Sequence, residues 1–302
     1  MYTSASIFEG RAPFGDYQTW YRVAGDLGSA LTPLIVVHGG PGCTWDYVES
    51  YAALAEDGRP VIHYDQIGNG QSTRLPEKSA EFWTVDLFLD ELRNLIAHLE
   101  LTEYYLLGQS WGGMLGAEFA VTRPKGLKAL VLTNSPASMP LWIAETARLR
   151  AGLPAEVRAV LDRHEVAGTT DHEEYRNATK AFNARHVCRL DPLPDGVQRT
   201  NRAMEADAHV YNLMIGPNEF HITGTLMEWD VSDRLHQVNV PTLLISGAHD
   251  EATPATVQPF ADLIPDTRWR IFPQSSHMPH VEEFEACMAE VGGFLAECDA
   301  RC

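Results

Sequence analysis

Residues 104–120 read Tyr104-Tyr105-Leu106-Leu107-Gly108-Gln109-Ser110-Trp111-Gly112-Gly113-Met114-Leu115-Gly116-Ala117-Glu118-Phe119-Ala120. An apolar run of strand length passes through a G-x-S-x-G turn, a nucleophile elbow, into a helix-like stretch. A serine in such a turn has strained backbone angles and an exposed hydroxyl, and the small residues beside it let strand and helix approach closely. The helix aims free N–H groups and its positive dipole end at the turn, where they stabilise charge developing on a carbonyl oxygen. A plain glycine-rich turn is the competing reading, so the rest of the chain must supply the partners such a serine needs.

Outward from this turn, apolar runs alternate with helical patterns as in a parallel sheet. Leu34-Ile35-Val36-Val37 leads into a glycine turn, and Pro60-Val61-Ile62-His63-Tyr64 leads into Asp65-Gln66-Ile67-Gly68-Asn69-Gly70. A helical segment around Val85 to Leu99 precedes the elbow strand, and Ala129-Leu130-Val131-Leu132 follows the elbow helix. After Pro140 the rhythm changes to helical segments over Leu141–Leu149, Pro154–Glu165, Asp171–Val187 and Val197–Ala208, separated by Gly, Pro and Asp breaks. Strands resume at Pro241-Thr242-Leu243-Leu244-Ile245 and Arg268-Trp269-Arg270-Ile271-Phe272, before a closing helix from Glu282 to Leu295. The expected organisation is an α/β core over residues 1–138 and 231–302 interrupted by a helical cap over 139–230.

The 302 residues are 45% hydrophobic, enough for one α/β domain with an insertion. Asp and Glu number 41 against 23 Lys and Arg, a formal charge of −18 whose field repels phosphate backbones and anionic lipid. Nucleic acid and membrane partners are therefore not expected. No basic and apolar leader pattern follows Met1, and no apolar run approaches the roughly 20 residues needed to span a bilayer, so the chain reads as cytoplasmic. The five cysteines, Cys43, Cys188, Cys287, Cys298 and Cys302, lack paired C-x-x-C spacing and read as free thiols.

A serine hydroxyl becomes a nucleophile when an imidazole takes its proton, and a carboxylate fixes the imidazole's tautomer. In α/β-hydrolases the order is serine, acid, histidine, each in a loop just past a strand. Asp250 follows the strand ending Ile245-Ser246-Gly247, and His277 follows the strand ending Ile271-Phe272. Asp250 has a competing reading as a helix cap, because Thr253-Pro254 starts a helix directly afterwards. His280 is the competing base, and Asp65, on the N-terminal side of the serine, reads as a turn-former. The first oxyanion donor is the Trp111 N–H. The second comes from His38-Gly39-Gly40-Pro41-Gly42, where the Gly40 N–H can face a substrate oxygen with no Cβ in the way. A bland tight turn uses the same residues.

These motifs carry a resemblance over nearly the whole chain. His38-Gly39-Gly40-Pro41-Gly42, Asp65-Gln66-Ile67-Gly68-Asn69-Gly70-Gln71-Ser72, Gly108-Gln109-Ser110-Trp111-Gly112-Gly113, Gly216-Pro217-Asn218-Glu219-Phe220 and Gly247-Ala248-His249-Asp250-Glu251 together resemble the proline iminopeptidases and the related L-amino acid amidases. In detail the sequence looks most like the L-proline amide hydrolases, with Cys43-Thr44 after the glycine loop where many iminopeptidases continue with another glycine. The resemblance implies an α/β-hydrolase fold and recognition of a free α-amine by two acidic side chains, at positions matching Glu219 and Glu251. From the residues alone, Glu251 is as well read as a helix cap and Glu219 as a solvated cap residue.

The expected activity is hydrolysis of a small L-amino acid amide, L-prolinamide above all, through an acyl-enzyme on Ser110, with no metal or organic cofactor. The alternative is a proline iminopeptidase trimming short peptides. A general esterase or lactonase indifferent to the two glutamates, and a binding protein that keeps the fold without turnover, complete the set. Dehalogenase or epoxide hydrolase chemistry is disfavoured by a serine where those enzymes place an aspartate. Phe220, Trp229, Trp45, Tyr47 and Met139 are candidate pocket walls, with ordinary core as the competing reading.

Overall fold

The computed structural model describes residues 5–301, so Cys302 lies outside the described residues. Eight strands form one sheet: β1 (Ile7–Phe14), β2 (Tyr17–Ala24), β3 (Leu34–Val37), β4 (Val61–Tyr64), β5 (Tyr104–Gln109), β6 (Leu127–Thr133), β7 (Thr242–Gly247) and β8 (Thr267–Phe272). Their spatial order is β1-β2-β4-β3-β5-β6-β7-β8. From β4 to β8 every pairing is parallel, whereas β1 and β2 add an antiparallel edge. The helices are α1 (Val85–His98), α2 (Trp111–Val121), α3 (Met139–Ala151), α4 (Ala155–Ala167), α5 (Glu173–His186), α6 (Asp195–Ala206), α7 (His209–Met214), α8 (Pro254–Leu263), α9 (Pro279–Glu282) and α10 (Phe284–Asp299).

The central strands are largely apolar because both sheet faces are covered. Along β3, Ile35 and Val37 enter one core while Leu34 and Val36 enter the other, and β5, β6 and β7 alternate in the same way. The first core is closed by Phe88 and Leu92 of α1, Leu115 and Phe119 of α2 and Phe260 of α8. The second is closed by Val48 and Tyr51 of a 3-10 segment, Trp45–Ala55, and by Val291 and Phe294 of α10. Every residue of α2 is buried, and its one carboxylate, Glu118, is matched by two Arg234 nitrogens at 2.6 and 2.8 Å and by the Trp229 indole N–H at 2.9 Å.

Between β6 and β7 the chain is helical, α3 to α7, with a small core of its own around Leu161, Tyr175, Phe182 and Phe220. The closing helix of the sequence reading is two helices, α9 and α10, broken at Glu283. Among the described residues no helix is long and apolar enough to cross a membrane. Cys43, Cys188, Cys287 and Cys298 form no disulfide.

Candidate active site

The elbow forms where β5 runs into α2. Ser110 has φ 57 and ψ −123, the strained conformation that its place in the turn demands. The turn closes only because its neighbours lack side chains: a Cβ on Gly108 would strike the Gly112 carbonyl, and one on Gly112 would strike the Val37 carbonyl. Trp111 opens α2, so its N–H has no acceptor within the helix and faces the turn. Gly40, at φ 111, joins Ser110, Trp111, Met114, Pro136, Met139, Trp142, Ile215 and Glu219 around a narrow space of about 10 Å³.

The glycine loop is fastened from below. The buried His38 ring holds the loop by donating from Nδ1 to the Gly39 carbonyl at 2.9 Å and accepting the Gln66 N–H on Nε2 at 3.1 Å, and burial pushes its pKa down to about 4. The Gln66 side chain donates to the His38 carbonyl at 2.9 Å and accepts the Trp111 indole N–H at 2.9 Å. Asp65 is the turn-former expected of it, its two oxygens accepting the N–H groups of Trp45 and Gln71 at 2.9 and 2.8 Å.

His277 and Asp250 meet in the loops after β8 and β7. His277 Nδ1–H donates to Asp250 Oδ1 at 2.7 Å, which leaves Nε2 as the basic nitrogen. Asp250 Oδ1 also accepts the Ala252 N–H at 2.8 Å, and Oδ2 accepts the Asn134 side-chain amide at 2.5 Å. Helix α8 has Thr253, not Asp250, at its N-cap. His280 is committed to the backbone: its Nε2 donates to the Tyr47 carbonyl at 2.9 Å, and burial lowers its pKa to about 3.

Glu219 and Glu251 converge on the same place. The Tyr211 hydroxyl donates to Glu219 Oε1 at 2.6 Å, and the Trp142 indole N–H donates to the Glu219 carbonyl at 2.7 Å. Glu251 Oε1 lies 3.8 Å from His277 Nε2, and its Oε2 is buried with no hydrogen-bond partner. Neither carboxylate caps a helix. Burial raises the pKa of both, and for Glu251 the neighbouring Glu219 and Asp250 charges push it further. A buried carboxyl with an orphaned oxygen beside two other acids is held toward its neutral form.

Of the five proposed wall residues, Met139 lines the space; Phe220, Trp45 and Tyr47 are core, and Trp229 is committed to Glu118. The sequence reading missed Met114, Pro136, Trp142 and Ile215 as walls. Trp142, at the start of α3, also sets its ring edge-on to His277, with centroids 6.1 Å apart. It missed His186 as well. From the end of α5, His186 Nδ1–H donates to the His249 carbonyl at 2.9 Å, and the His186 carbonyl accepts the Glu251 N–H at 3.2 Å, gripping the acidic loop on both sides of Asp250. Such contacts leave no mark in sequence spacing.

Among the described residues, one His and carboxylate cluster is close enough to hold a metal ion: His164, His172 and Glu174. Its cation position is already filled, because an Arg163 nitrogen lies 2.6 Å from Glu174 and 3.4 Å from His164 Nε2. His172 Nδ1 is also committed to the Glu174 N–H at 3.2 Å.

Residues 32–284 match the α/β hydrolase fold family. The proline iminopeptidase of Lactiplantibacillus plantarum is 37% identical over 291 residues, 95% of this chain and 100% of that one. The chain is an α/β-hydrolase of the proline iminopeptidase family. Two solved structures superpose closely on this family member. The proline iminopeptidase of Mycobacterium smegmatis is 51% identical, with a TM-score of 0.90 over 97% of this chain and 99% of that one. VinJ is 52% identical, with a TM-score of 0.95 over 96% and 99%. The protein is therefore a hydrolase.

Proposed function

We propose that this hydrolase removes the N-terminal residue, proline by preference, from short peptides by acyl transfer to Ser110. The observation that carries the reading is the pair of buried carboxylates, Glu219 and Glu251, beside His277 at the elbow. An ammonium entering a partly dry pocket loses its hydration and needs charge-assisted hydrogen bonds to offset the loss. Glu251, with its orphaned oxygen and raised pKa, recovers its charge when that ammonium arrives.

The steps follow from the atoms. His277 Nε2 takes the Ser110 proton as the serine oxygen bonds to the substrate carbonyl carbon, and the carbonyl oxygen becomes an anion held by the Gly40 and Trp111 N–H groups. The intermediate collapses, the C–N bond breaks, and His277 returns the proton to the leaving amine. Water then cleaves the acyl-serine ester by the same route. The inserted segment, 139–230, acts as a cap that brings Met139, Trp142, Ile215 and Glu219 to the space above the elbow, and a cytoplasmic setting suits thiols that form no disulfide.

L-Prolinamide, the substrate expected first, would follow the same steps with ammonia as leaving group. That relatives bear the name proline iminopeptidase supports the peptide reading over the amide reading. An esterase indifferent to amines is disfavoured by the two buried glutamates, which such an enzyme has no use for. The deciding assay compares a Pro-Xaa dipeptide, proline p-nitroanilide, L-prolinamide, D-prolinamide and an N-acetylated control. The free-amine L-substrates should be cleaved, the dipeptide faster than the amide, with Ser110→Ala inactive. Equal cleavage of the acetylated compound would overturn the amine-anchoring role. Glu219→Gln and Glu251→Gln should each lower kcat/KM for the dipeptide by about 10² while leaving amine-free esters nearly unaffected, as loss of a desolvated charged contact does.

A further inference from the structure

The glycine loop, the elbow and the histidine loop belong to three separate stretches of chain, and one buried line of hydrogen bonds crosses all three. The Gly39 N–H donates to the Tyr47 hydroxyl at 2.6 Å, the hydroxyl donates to Gln109 Oε1, and Gln109 Nε2 donates to the His277 carbonyl at 3.0 Å. Gly39 precedes the oxyanion donor, Gln109 precedes the serine, and His277 is the base. Tyr47 is 4% exposed and Gln109 is fully buried, so no water competes along the line. Tyr47 is fixed in turn by His280, which donates to its carbonyl and meets its ring edge-on with centroids 5.9 Å apart.

We propose that Tyr47 and Gln109 are positioning residues that set the spacing of oxyanion donor, nucleophile and base; the proposal rests on the reading of Ser110 and His277 given above. The line has one polarity, N–H to O–H to amide oxygen, then amide N–H to carbonyl, so each donor polarises the next. Position 109 needs one acceptor and one donor held at a fixed angle, which a primary amide supplies. A glutamate there would accept from Tyr47 but turn a second acceptor on the His277 carbonyl. Neither side chain lines the space above Ser110, so the line acts on geometry and leaves substrate binding alone.

The test uses Tyr47→Phe, which deletes one oxygen and keeps the ring, together with Gln109→Glu and the double variant. Four quantities are measured: kcat and KM on proline p-nitroanilide, the rate of Ser110 labelling by a fluorophosphonate, and the thermal midpoint. Misplacement of reacting groups by a fraction of an ångström costs on the order of 10- to 100-fold in rate. Tyr47→Phe should lose that much in kcat and in labelling rate with KM within about twofold of wild type. The double variant should be no slower than the slower single, because both break one line. Tyr105→Phe, which removes a hydroxyl bonded to Asp299 at 2.8 Å at the start of β5, should keep the wild-type kcat. If Gln109→Glu does not fold, Tyr47→Phe decides alone. Wild-type kcat and labelling in Tyr47→Phe, a loss confined to KM, or losses that multiply in the double variant would each overturn the positioning role. Wild-type protein that takes no label refutes the reading of Ser110 itself, a result distinct from any shown by the variants.

Discussion

Asp250 shows how much of a reacting group's behaviour is set by a side chain that never meets substrate. Its carboxylate is fully buried, and Oδ2 accepts the Asn134 amide at 2.5 Å and the Gly247 N–H at 3.5 Å; the Asn134 amide nitrogen also lies 3.3 Å from the Ser276 carbonyl, one residue before His277. Asn134 has φ 52, and its own amide oxygen is buried without a partner. A non-glycine residue in that conformation costs about 1–3 kcal/mol, so it persists where surrounding contacts impose it. A hydrogen bond to a charged group contributes about 1.5–3 kcal/mol. Asn134→Ala should therefore lower kcat by about ten- to a hundredfold with KM little changed, while Asn134→Gly should lose as much kcat but melt higher than the alanine variant because its backbone relaxes. Wild-type kcat in either variant would show that Gly247, Ala252 and His277 hold the carboxylate without Asn134. The turn at Ser110 and the pairing of Asp250 with His277 were legible in sequence because each residue follows a strand in the expected order. Asn134 follows a strand too, but its role depends on a positive φ and on which carboxylate oxygen lacks a donor, and strand ends do not encode either.

Helix α1 carries a different buried acid, and it links the sheet to the loop after β4. Glu91 Oε1 accepts the Thr19 hydroxyl of β2 at 2.5 Å and the Ile67 N–H at 2.9 Å, while Oε2 has no partner. Burial raises its pKa from 4.5 to about 8. The folded state thus binds a proton that the unfolded chain releases between those values, so the stability contributed by the neutral acid is complete below pH 4.5 and is lost as pH rises through about 8. Glu91→Gln, neutral at every pH, should flatten that part of the stability profile and melt higher than wild type at pH 9. An unchanged slope between pH 5 and 9 would place the titration elsewhere. The same helix was readable from its periodicity, as were the strands β3 to β7, whose runs are largely apolar because both faces are covered, and β8, an exposed edge strand, from its short Trp269-Ile271-Phe272 pattern. The hairpin of β1 and β2 was not, because β1 is an edge strand, mostly exposed and interrupted by Gly10 and Pro13. Nor was the 3-10 segment Trp45–Ala55, whose period differs from that of an α-helix.

The charge of −18 belongs to no single site, yet it bears on how a cationic substrate arrives. Surface carboxylates sum to a negative potential that raises the local concentration of cations, and Glu219 and Glu251 place further acid at the end of the route. Added salt shortens the reach of that field from about 30 Å at 0.01 M to about 3 Å at 1 M, while contacts inside the pocket are screened far less. For proline p-nitroanilide, a monocation, kcat/KM should therefore fall several-fold between these salt concentrations with kcat nearly constant. A Pro-Xaa dipeptide carries a compensating carboxylate, so its kcat/KM should fall less steeply, and an amine-free ester should show no fall. Parallel salt curves for all three would mean that substrate capture depends on the pocket alone and that the acidic surface serves only to keep copies of the chain apart.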